Sequence, residues 1–426
     1  MQKFKKTILK NGLRIITIPK KDSLATTVLV LVEAGAEYEN KKINGISHLL
    51  EHMCFKGTKR RPKAIDISSE LAALGAESSA FTGYERTGYY AKAQPKHFDK
   101  ILDIVADLYL NPILDPKELD KERGVVIEEI NMIEDIPMRK IGYLFLELLY
   151  GDQPAGRSIA GEKEIIKKLT RQDIVDYRKK HYLASATTVI ASGNFNEKNA
   201  IKKISDAFSE ISTGKKDKKI KTKENQKKPA ILLKKKESDQ AHLILGTRAF
   251  NIFDKRIYAA MVLSDILGGG LSSRLFQKIR EEMGAAYYIR SNIDLMIDHG
   301  YFAVASGVNI SKLELVVKTI IDELKKSKNE LIGDKELQKA KDHLVGQLFI
   351  SLETSDELAE FYGEQETIAK KIITPQELAK KIQTITAEEI MIVAQDIFKK
   401  DKLNLAIIGP IGNEKKKTFE KILAGL

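Results

Sequence analysis

His48-Leu49-Leu50-Glu51-His52 sets two histidines four residues apart, one helical turn, on a common face. Neutral imidazoles at that spacing can grip one metal ion. Glu51 stands one residue before the second histidine. From there its carboxylate reaches a water on the ion and can act as general base. The order is HxxEH, the reverse of HExxH. Taken alone, the same five residues also suit a chance cluster on a solvated helix, so the surrounding segments decide.

Working outward, the pattern predicts a helix from about Ile43-Asn44 to Phe55, with Leu49, Leu50 and Met53 as its apolar side and Gly57 closing it. Cys54 reads as a small core residue. Upstream, residues 4–9 and 13–18 are alternating runs joined by Asn11-Gly12, a strong hairpin signal. Thr26 to Val32 is a continuous β-branched run and predicts a buried strand. Downstream, a helix over 64–74 precedes two strands, over 75–82 and 86–92, with a turn at Gly83. Helices follow over 96–110, 116–135, 137–151 and 171–181, then a strand over 186–192 and a helix over 197–210.

A catalytic metal site of this kind needs a third protein ligand and an open position. The 116–135 helix carries Glu122 and Glu129 seven apart and so nearly on one face, whereas Glu128 is turned away by roughly 100°. A face of Glu122, Val126, Glu129 and Ile133 suits an inward orientation, and a carboxylate there wants a cation or a partner. Glu129 is the expected ligand, with Glu122 accepting a hydrogen bond from a ligand histidine. The competing reading is a set of helix-surface charges beside Lys121 and Arg123.

The chain has 426 residues, 43% apolar and 31% charged, which is a soluble globular balance too large for a single ordinary core. After the lysine-rich stretch the order repeats. Strands are expected over 230–234 and 241–246, helices over 254–267 and 271–283, and paired strands over 287–295 and 301–308. Helices over 312–327, 333–350, 355–370, 374–382 and 386–399 precede a last strand over 403–408. The predicted fold class is therefore α+β, with two similar domains, each a mainly antiparallel sheet covered by helices. The boundaries are residues 1–213, a lysine-rich linker at 214–229, and residues 230–426. The net charge of +12 is concentrated between Lys215 and Lys236. No aromatic or groove-reading pattern accompanies it, so a solvated, extended linker is expected and no nucleic-acid partner. One cysteine excludes a disulfide framework and a cysteine-rich metal site. No apolar run is long enough to span a bilayer, and Met1-Gln2-Lys3-Phe4-Lys5-Lys6 does not open a signal-peptide core. The expectation is a cytoplasmic protein with no membrane insertion.

Three segments resemble the pitrilysin or insulysin family of inverzincin metallopeptidases, in the style of the mitochondrial processing peptidase branch and its short bacterial relatives. They are His48-Leu-Leu-Glu-His-Met-Cys-Phe-Lys-Gly-Thr58, Glu122-Arg-Gly-Val-Val-Ile-Glu-Glu129, and the stretch from Gly268-Gly-Gly-Leu-Ser-Ser-Arg to Arg280 and Tyr287. The resemblance implies that His48, His52 and Glu129 bind one zinc ion per chain. Glu51 is then the base, and Glu122 a further acidic member of the catalytic set. It assigns Arg280 and Tyr287 to the substrate from the second domain. It also implies a clamshell of the two domains around an internal chamber, and a homodimer or a pairing with a related subunit. Ser79 and Ala80 match a substrate-binding edge strand, and Ser79 stands where the family usually has asparagine. Strand addition through the backbone survives that change.

The reading is a zinc-dependent endopeptidase acting on extended or unfolded peptides, with domain closure completing the site. The alternative is a non-catalytic member serving as partner or scaffold. Gly268-Gly269-Gly270 lacks the residues of a phosphate-binding loop and reads as a flexible entry to a helix starting at Leu271. His97, His181, His242, His299 and His343 have no ligand-like spacing and are read as structural or surface residues.

Overall fold

The computed structural model describes residues 4–426. Met1-Gln2-Lys3, part of the stretch read as lacking a signal peptide, lie outside the described residues. The chain forms two compact units. One takes residues up to Asn131, Ser158–Ile220 and Phe349–Thr374. The other takes Met132–Arg157, Lys221–Leu348 and Pro375–Leu426.

The first unit holds β1 (Lys5–Ile8), β2 (Arg14–Pro19), β3 (Thr26–Val32), β4 (Glu77–Thr82), β5 (Thr87–Ala93) and β6 (Thr187–Gly193). Their order across the sheet is β1-β2-β6-β3-β5-β4. Only β2 and β6 run parallel; the other neighbours are antiparallel. The second unit holds β7 (Ala230–Lys235), β8 (Ala241–Arg248), β9 (Ala286–Leu295), β10 (Gly300–Val308) and β11 (Leu403–Gly409), in the order β7-β11-β8-β10-β9. Again one pair, β7 with β11, is parallel. From β2 and β7 onward the two sheets share one topology, so the duplication expected from element order is real.

Both faces of the central strands are covered, which is why Val28–Val32 of β3 is an unbroken apolar run. In the first unit Val28, Val30 and Val32 face the helices of the main core, with Leu49, Val105 and Val126. Leu29 and Leu31 face the other way, with Ile16, Ile18 and Ile190, against Leu358, Ala359 and Tyr362. Those last three residues belong to the helix Ser355–Ile368, far along the chain. A Cβ at Gly363 would lie 2.8 Å from Leu31 Cδ1 and 2.9 Å from Ile190 Cδ1, so glycine lets this helix sit close on the sheet. Thr27–Ser355 (2.8 Å) and Lys92–Asp356 (3.0 Å) pin its first turn. In the second unit the matching face, with Ile244, Ala303, Ala406 and Ile408, is covered by Ile141, Leu144, Phe145 and Leu149. These come from the early helix Pro137–Tyr150.

Neither unit is thus one of the contiguous stretches 1–213 and 230–426 expected from the sequence. Each half of the chain lends one helix to the other half's sheet. A further helix, Lys416–Leu423, was not anticipated; its lysines mask Phe419 and Leu423, which are fully buried.

The lysine-rich stretch also departs from expectation. It has no regular secondary structure, but it is not a freely solvated tether. In the first unit Lys216 pairs with Glu33, and Lys219 pairs with Glu37 and, at 2.6 Å, with Glu85. Lys219 is buried with them. In the second unit Thr222 N–H donates to Asp298 Oδ2 at 2.9 Å, and Gln226 donates to the Leu403 carbonyl at 3.0 Å. Buried carboxylates supply the attraction that offsets lysine–lysine repulsion here.

Candidate metal centre

The helix Ile46–Cys54 buries Ile46, Leu49, Leu50 and Met53 in the main core and turns His48, Glu51 and His52 to the opposite side. Its start is held by a residue that sequence reading missed. Glu39 is fully buried, and its carboxylate accepts from Gly45 N–H (2.7 Å), Ser47 N–H (2.8 Å) and Asn44 Nδ2 (3.0 Å). Burial pushes its carboxyl up to about 7, against the pull of those hydrogen bonds. Gly45, at φ +94°, makes the tight entry; a Cβ there would lie 2.6 Å from Ile166 Cδ1. Glu39 caps from outside the helix, with no short spacing to signal it. Glu39→Ala leaves several buried donors unpaired and is expected to cost about 2–4 kcal/mol, read as a lowered denaturation midpoint of the metal-free protein.

The carboxylate helix, Pro116–Asp135, presents Glu122, Val126 and Glu129 inward as expected, while Glu128 is exposed. His48 Nε2 lies 3.2 Å from His52 Nε2, and Glu129 Oε2 lies 3.6 Å from each. These three side chains form a group that could hold a metal ion. Tetrahedral bonds of 2.0–2.1 Å place ligand atoms about 3.3 Å apart, so the triangle has the edges of a zinc-sized site. Two imidazole lone pairs facing each other at this distance repel unless a proton or a cation lies between them. The donor set therefore fits a divalent ion.

The protonation state of His48 agrees. Burial, then the neighbouring His52, lowers His48 to about 4, so its ring is neutral at ordinary pH. Burial opposes charge on His52 as well, but Glu122, Glu129 and Glu51 outweigh it and raise its pKa. Glu122 Oε1 meets His52 Nδ1 at 2.9 Å, which makes Nδ1 the protonated nitrogen and leaves Nε2 for a metal. Burial acts to raise Glu122, yet the hydrogen bonds from His52 and Lys56 hold it below the usual carboxylate range. Glu51 is raised, chiefly by burial, although Thr82 Oγ1 donates to its Oε2 at 2.5 Å.

Two family descriptions match the chain: insulinase (peptidase family M16) over residues 14–163, and the peptidase M16 inactive domain over 168–344. The chain is 35% identical over 407 residues to an uncharacterized zinc protease of Rickettsia felis, covering 94% of this chain and 96% of that one. It is 32% identical over 409 residues to another in Bacillus subtilis, covering 96% and 99%. The chain belongs to peptidase family M16. Its fold is shared with a solved protease from Helicobacter pylori, with TM-score 0.90 at 23% identity over 96% of this chain and 100% of that one. A peptidase M16 inactive domain from Pseudomonas fluorescens gives TM-score 0.88 at 17% identity, over 96% and 98%.

The other residues of this M16 chain that the sequence resemblance singles out fall in two places. Ser79 and Ala80 lie on β4, the edge strand paired only with β5 among the described residues; Ser79 is exposed. The same strand ends at Thr82, the partner of Glu51, so the strand and the motif helix are joined by one hydrogen bond. Arg280 and Tyr287 lie in the second unit, both exposed, with the guanidinium 5.8 Å from the Tyr287 ring centre and 4.9 Å from that of Phe276. Arg280 sits in a wide helical segment, Phe276–Glu282, where Met283 N–H bonds back five residues to Lys278. The helix expected from Leu271 starts three residues later and runs over 274–282. Gly268-Gly269-Gly270 is packed rather than loose: a Cβ at Gly269 would lie 2.1 Å from Asp265 Oδ1. His343, read as structural or surface, bonds Asp265 at 2.8 Å beside that loop. Cys54 is buried in the core as expected.

Proposed function

We propose that this chain is a zinc-dependent endopeptidase for extended peptides. His48, His52 and Glu129 would hold the ion, and Glu51 would act as base. The observation that carries this reading is the triangle of His48 Nε2, His52 Nε2 and Glu129 Oε2, with Glu51 on the helical turn between the two histidines. The relatives from Rickettsia felis and Bacillus subtilis are named zinc proteases, which agrees with it. A zinc ion bound there supplies Lewis acidity, polarising a carbonyl and acidifying water.

The chain's own residues do the rest. The β4 edge offers backbone N–H and C=O groups to an extended peptide, which adds as a further strand beside Ser79 and Ala80. Glu51, held by Thr82, takes a proton from the attacking water and returns it to the leaving amine. Glu122 keeps the His52 ring in one tautomer. Through the family resemblance, Arg280 and Tyr287 are assigned to hold the substrate. The test is to strip metal with a chelator, restore zinc, and follow an unstructured peptide by mass spectrometry. Internal cleavage that disappears on stripping and returns with zinc is expected. A zinc-restored protein that leaves every peptide intact, or cleavage indifferent to chelation, overturns the reading.

A further inference from the structure

Lys56 lies just beyond the end of the Ile46–Cys54 helix, and its Nζ is 2.7 Å from Glu122 Oε2. The other oxygen of the same carboxylate, Oε1, meets His52 Nδ1 at 2.9 Å. Glu122 is 5% exposed and Lys56 is 28% exposed, so the ammonium closes the outer side of a buried carboxylate. Three carboxylates, Glu51, Glu122 and Glu129, all act electrostatically on His52. A single lysine and a divalent ion together bring that set to neutrality, whereas the ion alone leaves a net negative charge in a partly desolvated site.

We propose that Lys56 is a positioning residue for the metal centre. By anchoring one oxygen of Glu122 and balancing its charge, it keeps the other oxygen on His52 Nδ1–H and the Nε2 lone pair aimed at the ion. Ligand orientation is thereby set two residues outward from the metal, along Lys56–Glu122–His52. Both ends of that relay stand on one short segment, residues 52–56, and the middle stands on the carboxylate helix. The relay therefore also fixes the register between the two helices that supply the three ligands.

The inference rests on the reading of His48, His52 and Glu129 as metal ligands. The experiment measures zinc affinity by chelator competition on the full chain for wild type, Lys56→Met, Lys56→Arg, Glu122→Gln and the Lys56→Met/Glu122→Gln double variant. Lys56→Met is expected to weaken zinc binding by about 10-fold, within the range known for outer partners of ligand histidines. Lys56→Arg retains the charge and is expected to stay within about threefold of wild type. In the Glu122→Gln background Lys56→Met is expected to have no further effect; a merely structural contribution would persist there. Lys56→Met binding zinc as tightly as wild type, or losing affinity equally with and without Glu122, overturns the proposal. Wild-type protein that takes up no zinc overturns the metal reading itself, and the relay with it.

Discussion

Glu51→Gln is expected to retain zinc and to lose peptide cleavage by on the order of 10³-fold or more. The amide has nearly the shape of the carboxylate and can still accept from Thr82, so the edge strand and the helix stay in place. It cannot take a proton from water. Glu51 is not in the ligand triangle, so the variant's metal content, read by elemental analysis, should equal that of wild type. The pH profile follows from the same group. Burial raises Glu51 in the metal-free chain, and only its ionised form is a base, so kcat/KM should fall as pH drops through its titration. Cleavage by Glu51→Gln at the wild-type rate would remove Glu51 as base. Zinc lost together with activity would assign it to the ligand set instead.

Glu129→Ala carries the second large effect, on metal rather than turnover. With Glu129 as one of three proposed ligands, its removal should weaken zinc binding by more than about 100-fold, beyond what outer partners of a ligand contribute. The control is one residue away. Glu128 is exposed on the other side of the same helix, so Glu128→Ala should bind zinc as wild type does. The pair tests the helix-face argument directly. Equal losses from both would mean general electrostatics rather than ligation, and no loss from either would dissolve the site. Zinc titrations monitored by chelator competition distinguish these outcomes.

The same helix also shows what a linear reading can see. The seven-residue step from Glu122 to Glu129 and the four-residue step from His48 to His52 are local periodicities, and a helix converts them into faces without outside help. β3 was legible for a similar reason, because burial on both sides leaves Val28 to Val32 apolar without a break. Glu39 was not legible: it caps the motif helix from a preceding loop, and nothing in its spacing distinguishes it from a surface acid. The lysines at 216 and 219 were misread because their partners, Glu33, Glu37 and Glu85, come from distant loops. The triglycine was read as slack, when the close approach of Asp265 requires it to be small. The exchange of the Pro137–Tyr150 and Ser355–Ile368 helices was invisible because an apolar stripe states that it needs a sheet, not which one.

That exchange governs how the molecule can be born. A nascent chain that has left the ribosome as far as residue 213 contains every proposed zinc ligand, yet the Ile16, Ile18, Leu29, Leu31 and Ile190 face of its sheet is bare. It stays bare until translation has passed Ile368. Maturation cannot proceed one half after the other in the usual vectorial manner. The unit that carries the proposed metal site is finished only when nearly the whole polypeptide has been made, so a prematurely terminated product exposes a bare apolar sheet face.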